Sequence, residues 1–407
     1  MNLERFIKYL KIETSSNELS LTHPSSKGQV ELAMMIKKEF ENMGVLETYY
    51  DGILYVKLPS NSNSTKTLGL VAHLDIYSGF NSINIKPVII KNFNGEVINL
   101  RNDVTLNKEI FSELYDYIGD DLISSDGTSI LGASGKAGIC EIVDAMEIIL
   151  KNPSIKIPNI VIAFVPDQEI DKKGINHIDL ERFSADLAII MDGDGVGTIS
   201  FESFNGSHCE ITIQGRQVFT GEAKDKMINA ISISNEFISS IPFEYRTENT
   251  SGYEGFIHIE SITGTVSEIK ISAFIRDFDE IDLNNKKNLL INISEKINNQ
   301  FNKEIVHLKI DDDFKNMSAS IIEKPKLING LINGIALSGI LPKVIPVRGS
   351  CDGSFLSANG IPSCNHFTGV HNCHGPYEFI TKQSMDKAIN SLISIIEYFS
   401  VYENWNN

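Results

Sequence analysis

Apolar and polar positions along the first 200 residues follow two periods. In SSKGQVELAMMIKKEFENMG, Val30, Leu32, Ala33, Ile36 and Phe40 fall on one helical face, and Gly44 supplies a stop. The opening MNLERFIKYLKIETSS is a second amphipathic helical pattern. ILYVKLP, LGLVAHLD, IVIAFVPD and LAIIMDGD are short runs, apolar throughout, that end in acidic or polar residues. Such runs predict strands of a sheet buried on both faces. In α/β sheets of that kind, chemistry gathers at the carboxyl ends of the strands. LGASGKAGICEIVDAMEIIL reads as a glycine-rich turn entering a helix, with Ser134 and Gly135 at its tip. It lacks the Walker phosphate-loop spacing, so its glycines are read as room for close helix–sheet packing.

From about residue 204 the pattern changes. SHCEITIQG alternates like a half-exposed strand, and KDKMINAISISNEFISSIP predicts a helix. FIHIESITGTVSEIKISAFIRDFD predicts strand, turn and strand, NKKNLLINISEKINNQFN a helix, and EIVHLKIDDDF another strand. Two helices against antiparallel strands make a ferredoxin-like α+β domain. After about residue 318 the earlier alternation resumes. The fold expected is therefore an α/β domain, 1–203 and 319–407, interrupted by an α+β domain at 204–318.

Composition narrows the function. The 407 residues are 42% hydrophobic and carry a formal charge of -17. That balance argues against nucleic acid or an anionic membrane as partner. The first residues lack an apolar h-region and a cleavage site, so no signal peptide is expected, and no run reaches membrane-spanning length. The five cysteines, Cys140, Cys209, Cys351, Cys364 and Cys373, are odd in number and follow no disulfide spacing. A reduced, cytoplasmic setting is expected.

The candidate chemistry sits at the ends of the predicted strands. His73 and Asp75 lie in VAHLDIYSG, Glu169 in VIAFVPDQEI, Asp192 in LAIIMDGDG and His374 in HNCHGPYEF. Two imidazoles with several carboxylates are the donor set with which zinc hydrolases hold metal and activate water. Ser134 and Gln168 stand among them, where a bridging carboxylate and a general base would be wanted. Other readings stay open. HNCH with Cys351 and Cys364 offers a relocated zinc site, against plain packed cysteines. Lys136 near Ser134 offers a Ser–Lys nucleophile, against a structural lysine. Arg276 and Arg348 offer a grip on a substrate carboxylate, against ion pairs such as Arg276 with Asp277 or Asp279. Glu169 and Asp192 without metal would need charged partners, and His73 and His374 can serve. His23, His177, His208, His258, His307 and His366 have no motif around them.

The ordered series THPSSKGQVELA, HLDIYSG, DGTSILGASGKAGI, PDQEI, MDGDGVGTISFESFN, GEAKDKMINA, YEGF, IRDFD, RGSCDGSFLSANGIP and FTGVHNCHGPYEFI resembles the peptidase T family over the whole chain. Those are cytoplasmic, dizinc tripeptide aminopeptidases. The resemblance implies a zinc-peptidase catalytic domain with an inserted lid, and a homodimer through that lid. It implies His73 and Asp192 on one zinc, Glu169 and His374 on the other, and Asp75 orienting the first histidine. It matches Arg276 and Arg348 to arginines that contact substrate or support the site. Three family residues are replaced. The bridging Asp of LGADDKAG is Ser134, the base of PDEEIG is Gln168, and the lid His of HPGxAK is Phe219.

These replacements predict weak chemistry. Each half-site keeps two protein ligands where zinc sites want three or four. Zinc is expected as one ion or none. A glutamine cannot take a proton from water, and Phe219 cannot donate to an oxyanion. The expectation is a peptidase T-like chain whose hydrolysis is lost or strongly reduced while it still binds a small peptide or amino-acid derivative. The alternative is an active metallohydrolase with an altered mononuclear zinc site, releasing N-terminal residues from small peptides.

Overall fold

The structure, a computed structural model, describes residues 1–170, 173–401 and 405. The chain divides into two compact units, one formed by 1–201, 317–345 and 355–407, the other by 202–316 and 346–354.

The larger unit is built on an eight-stranded sheet. Its strand order is Thr48–Tyr50, Leu54–Leu58, Asn159–Val165, Thr67–His73, Leu187–Gly193, Ser363–Phe367, Thr198–Ser200 and Lys343–Val344. The four strands from Asn159–Val165 to Ser363–Phe367 run parallel, so their carboxyl ends share one edge. The apolar runs are buried as expected, six of seven residues in each of Thr67–His73 and Asn159–Val165. One face packs on helices Leu3–Leu10, Lys27–Asn42, Ser134–Lys151, Pro325–Leu337 and Lys382–Val401. The other is covered by Ile175, Ile178, Phe183, Leu356 and Ile361. A short sheet of Pro87–Ile90, Leu122–Ser125 and Phe379–Thr381 frames the loops near the site.

In the smaller unit the strands Asn205–Gln214, Phe256–Gly264, Glu268–Asp277 and Val306–Phe314 form one antiparallel sheet. Helix Ala230–Ser239 follows the first strand and Glu280–Phe301 follows the third, a βαββαβ order of ferredoxin type. The helix expected over KDKMINAISISNEFISSIP is shorter than its apolar pattern. Asn229 accepts hydrogen bonds from the amides of Ile231 and Ser232 and so starts it at Ala230. The boundary at 319–407 also needs correction, because 346–354 joins the smaller unit. Val347 N donates to Glu202 O at 2.9 Å and Phe204 N to Gly349 O at 3.1 Å. Backbone pairing of this kind leaves no period in the sequence to read. Among the described residues no helix is long and apolar enough to cross a membrane.

Candidate active site

The parallel strands bring the candidate residues together. His73 ends its strand, Gln168 and Glu169 follow Asn159–Val165, and Asp192 lies near the end of Leu187–Gly193. His374 arrives on the loop after Ser363–Phe367, with its backbone in the left-handed region at φ +70°. A non-glycine residue there is uncommon outside constrained sites.

Asp75 is the anchor. It is fully buried. Oδ1 lies 3.3 Å from His73 Nδ1 and accepts the amide of Gln168 at 2.9 Å, and Oδ2 accepts the amide of Glu169 at 2.8 Å. One carboxylate thus orients the imidazole and fixes the loop carrying two site residues. The far side of that imidazole, Nε2, is 3.2 Å from Ser134 Oγ and 3.6 Å from Asp192 Oδ1. Burial opposes charge on His73, but Asp192 and Asp75 outweigh it and hold its pKa well above the usual imidazole value. His374 Nε2 lies 3.0 Å from Glu169 Oε1, and its ring stacks on Tyr77 with centroids 4.4 Å apart. The bond to Glu169 raises the His374 pKa against the cost of burial. The arrangement is one imidazole between two carboxylates, His73 with Asp75 and Asp192, and one imidazole–carboxylate pair, His374 with Glu169. Gln168 links them to the loop by a long contact, its Nε2 donating to Asp192 Oδ2 at 3.4 Å.

Ser134 opens helix Ser134–Lys151, and Gly135 follows it. A Cβ at Gly135 would sit 2.2 Å from the His73 carbonyl oxygen, and one at Gly138 would sit 2.1 Å from that of Met191. The glycines let the helix lie directly on the strand ends, and position 135 has no room for a side chain. Lys136 is fully buried, donates to Ile12 O at 2.7 Å, and has its pKa pushed down to about 7 by burial. It serves the packing of the N-terminal segment and makes no bond to Ser134.

The two-zinc centre that the family resemblance implies is short of donors among these residues. His73 with Asp192 and Glu169 with His374 each supply two candidate ligands, and the added group beside His73 Nε2 is the neutral Ser134 hydroxyl. Zinc sites take three or four protein donors. Among the described residues no group of three or more His, Cys, Asp or Glu side chains is arranged to hold a metal ion. The relocated Cys/His zinc site is not formed either. Cys140, Cys209, Cys351 and Cys364 are buried free thiols, and Cys373 is exposed. His371 Nε2 is 2.7 Å from the Tyr117 hydroxyl.

Three predicted residues belong to the smaller unit. Phe219 is 75% exposed at the start of a short turn, Thr220–Glu222. Arg276 pairs with Asp313 at 3.0 Å, not with Asp277 or Asp279. Those two are engaged elsewhere, Asp277 with Lys286 and Asp279 as the cap of Glu280–Phe301. Arg348 donates to the carbonyls of Gly252 and Glu254 and to the Thr250 hydroxyl, holding its own unit's loop.

Sequence reasoning missed three supports. Glu378, fully buried, accepts the amides of Leu131 and Gly132 on Oε2 at 2.9 and 2.8 Å, and that of Ala133 on Oε1 at 2.7 Å. It ties the His374 loop to the turn that presents Ser134, and burial raises its pKa against those three bonds. Asp167, at φ +57°, accepts from Ser25, from Gln29 Nε2 at 2.8 Å, and lies 3.0 Å from His23 Nδ1. His23, which the sequence reading gave no role, therefore braces the loop of Gln168. Tyr77 is the third, through its stacking on His374. A signal existed for all three: Glu378, Asp167 and Tyr77 each fall inside a quoted motif, and Gln29, which donates to Asp167, is a polar residue at a buried helical position.

The family description "Peptidase dimerisation domain" matches residues 201–304, most of the smaller unit. Peptidase T of Clostridium novyi is 39% identical over 98% of this chain and 99% of its own length. Peptidase T of Caldanaerobacter subterraneus is 39% identical over 98% of each. Among solved structures, the aminopeptidase PepT from Bacillus cereus shares the fold with a TM-score of 0.75 at 19% identity, over 98% of this chain and 99% of that one. A tripeptidase from Staphylococcus aureus does so at 0.79 and 19%, over 98% of each. A Bacillus subtilis M20 peptidase described as binding a dinuclear metal centre aligns at 0.63 and 13%, over 97% of each. A mixed α/β domain with the site at its strand ends, the inserted dimerisation domain and whole-length identity to named peptidases agree: the chain belongs to the peptidase T family of M20 peptidases.

Proposed function

We propose that this protein is a peptidase T homologue in which hydrolysis is lost or strongly reduced, and which binds a small peptide or amino-acid derivative. The observation that carries the reading is the bonding of the two replaced positions. Ser134 Oγ sits 3.2 Å from His73 Nε2, and the Gln168 amide donates to Asp192 where a base would have to accept a proton. A missing general base costs about 10²–10⁴ in rate. A missing oxyanion donor, the role the family gives the histidine replaced by Phe219, costs about 10²–10³. The kept frame supports binding. Asp75, Glu378 and Asp167 still hold every loop of the site in place by buried hydrogen bonds. The same reading places the protein in the cytoplasm as a homodimer through its smaller domain.

The test is zinc stoichiometry after zinc addition and dialysis, with tripeptide turnover and the melting temperature in tripeptide measured on the same sample. At most one zinc ion, no turnover and a tripeptide-dependent rise in melting temperature are expected, because only a ligand of the native state stabilises it. Two zinc ions per chain, with chelator-sensitive turnover abolished by His73→Ala, would sink the proposal. One zinc with such turnover would favour the mononuclear hydrolase.

A further inference from the structure

Glu141 is fully buried in the middle of helix Ser134–Lys151, and among the described residues neither of its carboxyl oxygens has a hydrogen-bond partner. Other buried carboxyls of the larger unit are well supplied. Asp75 accepts two backbone amides, Glu378 accepts three, and Asp144 accepts Arg5 and the Asn2 amide. An ionised carboxylate offers only acceptors, and a protein interior holds one by donors or by counter-charge.

The phase of the helix explains why Glu141 finds neither. Gly138 and Asp144 lie three residues to either side of it. Gly138 rests on Met191 of the sheet, and Asp144 turns to Arg5 of Leu3–Leu10, so Glu141 falls between these two stripes. Its neighbours one turn away in each direction are Ala137 and Ala145, which carry no donor.

The charged groups of the elements packed on this helix are engaged elsewhere or exposed. On the helix itself Lys136 donates to Ile12 O, and Glu147 pairs with Arg5 and Lys151. From Leu3–Leu10, Arg5 is divided among Glu39, Asp144 and Glu147, while Glu4 and Lys8 are exposed. From Lys382–Val401, Lys382 and Asp386 pair with each other, Asp386 also meets the N-terminal ammonium, and Lys387 and Glu397 are exposed. From the strands, His73 sits between Asp75 and Asp192. Cys140 and Tyr9 are buried as well, and burial keeps both neutral. Burial, with Asp144 beside it, likewise raises the Glu141 carboxyl well above the usual carboxylate range.

We infer that Glu141 keeps its proton in the folded protein at neutral pH, and that this proton makes the helix presenting Ser134 sensitive to alkali. As pH rises the proton passes to solvent and leaves a buried charge without a donor. That charge is relieved only by reaching water, which requires the helix to move off the sheet. The same helix lies on the His73 carbonyl through Gly135, so the strand-end site loosens with it. The inference does not depend on whether that site hydrolyses anything. In the unfolded chain the carboxyl titrates at about 4.5. Above that pH the folded state binds the extra proton, so stability falls as pH rises until the folded carboxyl ionises too.

The test compares the whole protein with Glu141→Gln. At about pH 7.5 the infrared carbonyl band of a protonated carboxyl should be present in the unmodified protein and lose intensity in the variant. In urea unfolding between about pH 5.5 and 7.5, the folded-to-unfolded ratio of the unmodified protein should fall relative to the variant by about tenfold per pH unit, the slope of one linked proton. At about pH 8.5 the amides of residues 137–145 should exchange faster in the unmodified protein than in the variant. Glu141→Met, apolar and of similar length, gives the same comparisons if the glutamine variant does not fold. A carboxyl band unchanged by substitution, or parallel stability curves, overturns the inference. Equal exchange overturns its link to the helix.

Discussion

His73 and His366 are buried alike, at 1% and 0% exposure, on strands of one sheet. They end in opposite states. His366 Nδ1 lies 2.8 Å from the Phe367 carbonyl and Nε2 2.8 Å from the Ser391 hydroxyl, with no carboxylate against it, and burial pushes its pKa down to about 4. His73 meets two carboxylates, and its pKa moves up instead. Burial alone therefore does not make a histidine chemical. The acid set around it does.

The sharpest way to break this comparison is to put acids at positions 134 and 168. Ser134→Asp with Gln168→Glu should raise zinc from at most one ion to two per chain. Any tripeptide turnover should rise by about 10²-fold or more, read by metal analysis and peptide assay. Unchanged zinc content would mean these positions do not set metal binding. Next in size is Asp75→Ala, which strips partners from His73 and from the Gln168 and Glu169 amides. It should cost about 3–5 kcal/mol in denaturant unfolding. A loss below about 1 kcal/mol would show that Asp75 is no anchor.

His366 sharpens the other half. Its folded pKa is about 4, while the unfolded value is about 6.5. Between those values the unfolded chain binds the extra proton. Its contribution is thus complete above about pH 6.5 and is lost as pH falls toward 4, a swing of about 3 kcal/mol. Stability of His366→Gln measured from pH 7 to 4.5 should fall less steeply than that of the unmodified protein. Parallel curves would rule out a buried neutral imidazole. The smallest effect expected is at the helix tip. Gly135→Ala should cost about 1–3 kcal/mol, because its Cβ would press on the His73 carbonyl, whereas Ser134→Ala should cost less than about 1 kcal/mol. Equal costs would mean that the helix can retreat from the strand ends.

Much of this was legible in the chain. The apolar runs gave the buried parallel strands, and the ordered motifs placed His73, Asp75, Glu169 and Asp192 at their ends. Close packing was readable from Gly135 and Gly138. What escaped depends on partners chosen in three dimensions. Nothing near Arg276 in sequence names Asp313, since the two meet only when Glu268–Asp277 and Val306–Phe314 flank Asn205–Gln214. Segment 346–354 changes unit through backbone bonds that have no side-chain signature. The bracing by Asp167 and His23 spans 144 residues.

The Glu378 cradle carries a consequence for synthesis. Its three bonds close across 245 to 247 residues. Chains emerge from the ribosome N-terminus first, and domains fold as units as they appear. The amides of Leu131, Gly132 and Ala133 must therefore wait, hydrated, until the smaller unit has been made and Glu378 has followed. Ribosome-bound intermediates can hold much of the large sheet, yet the turn that presents Ser134 settles only when residue 378 arrives, so completion of this site follows synthesis of both units.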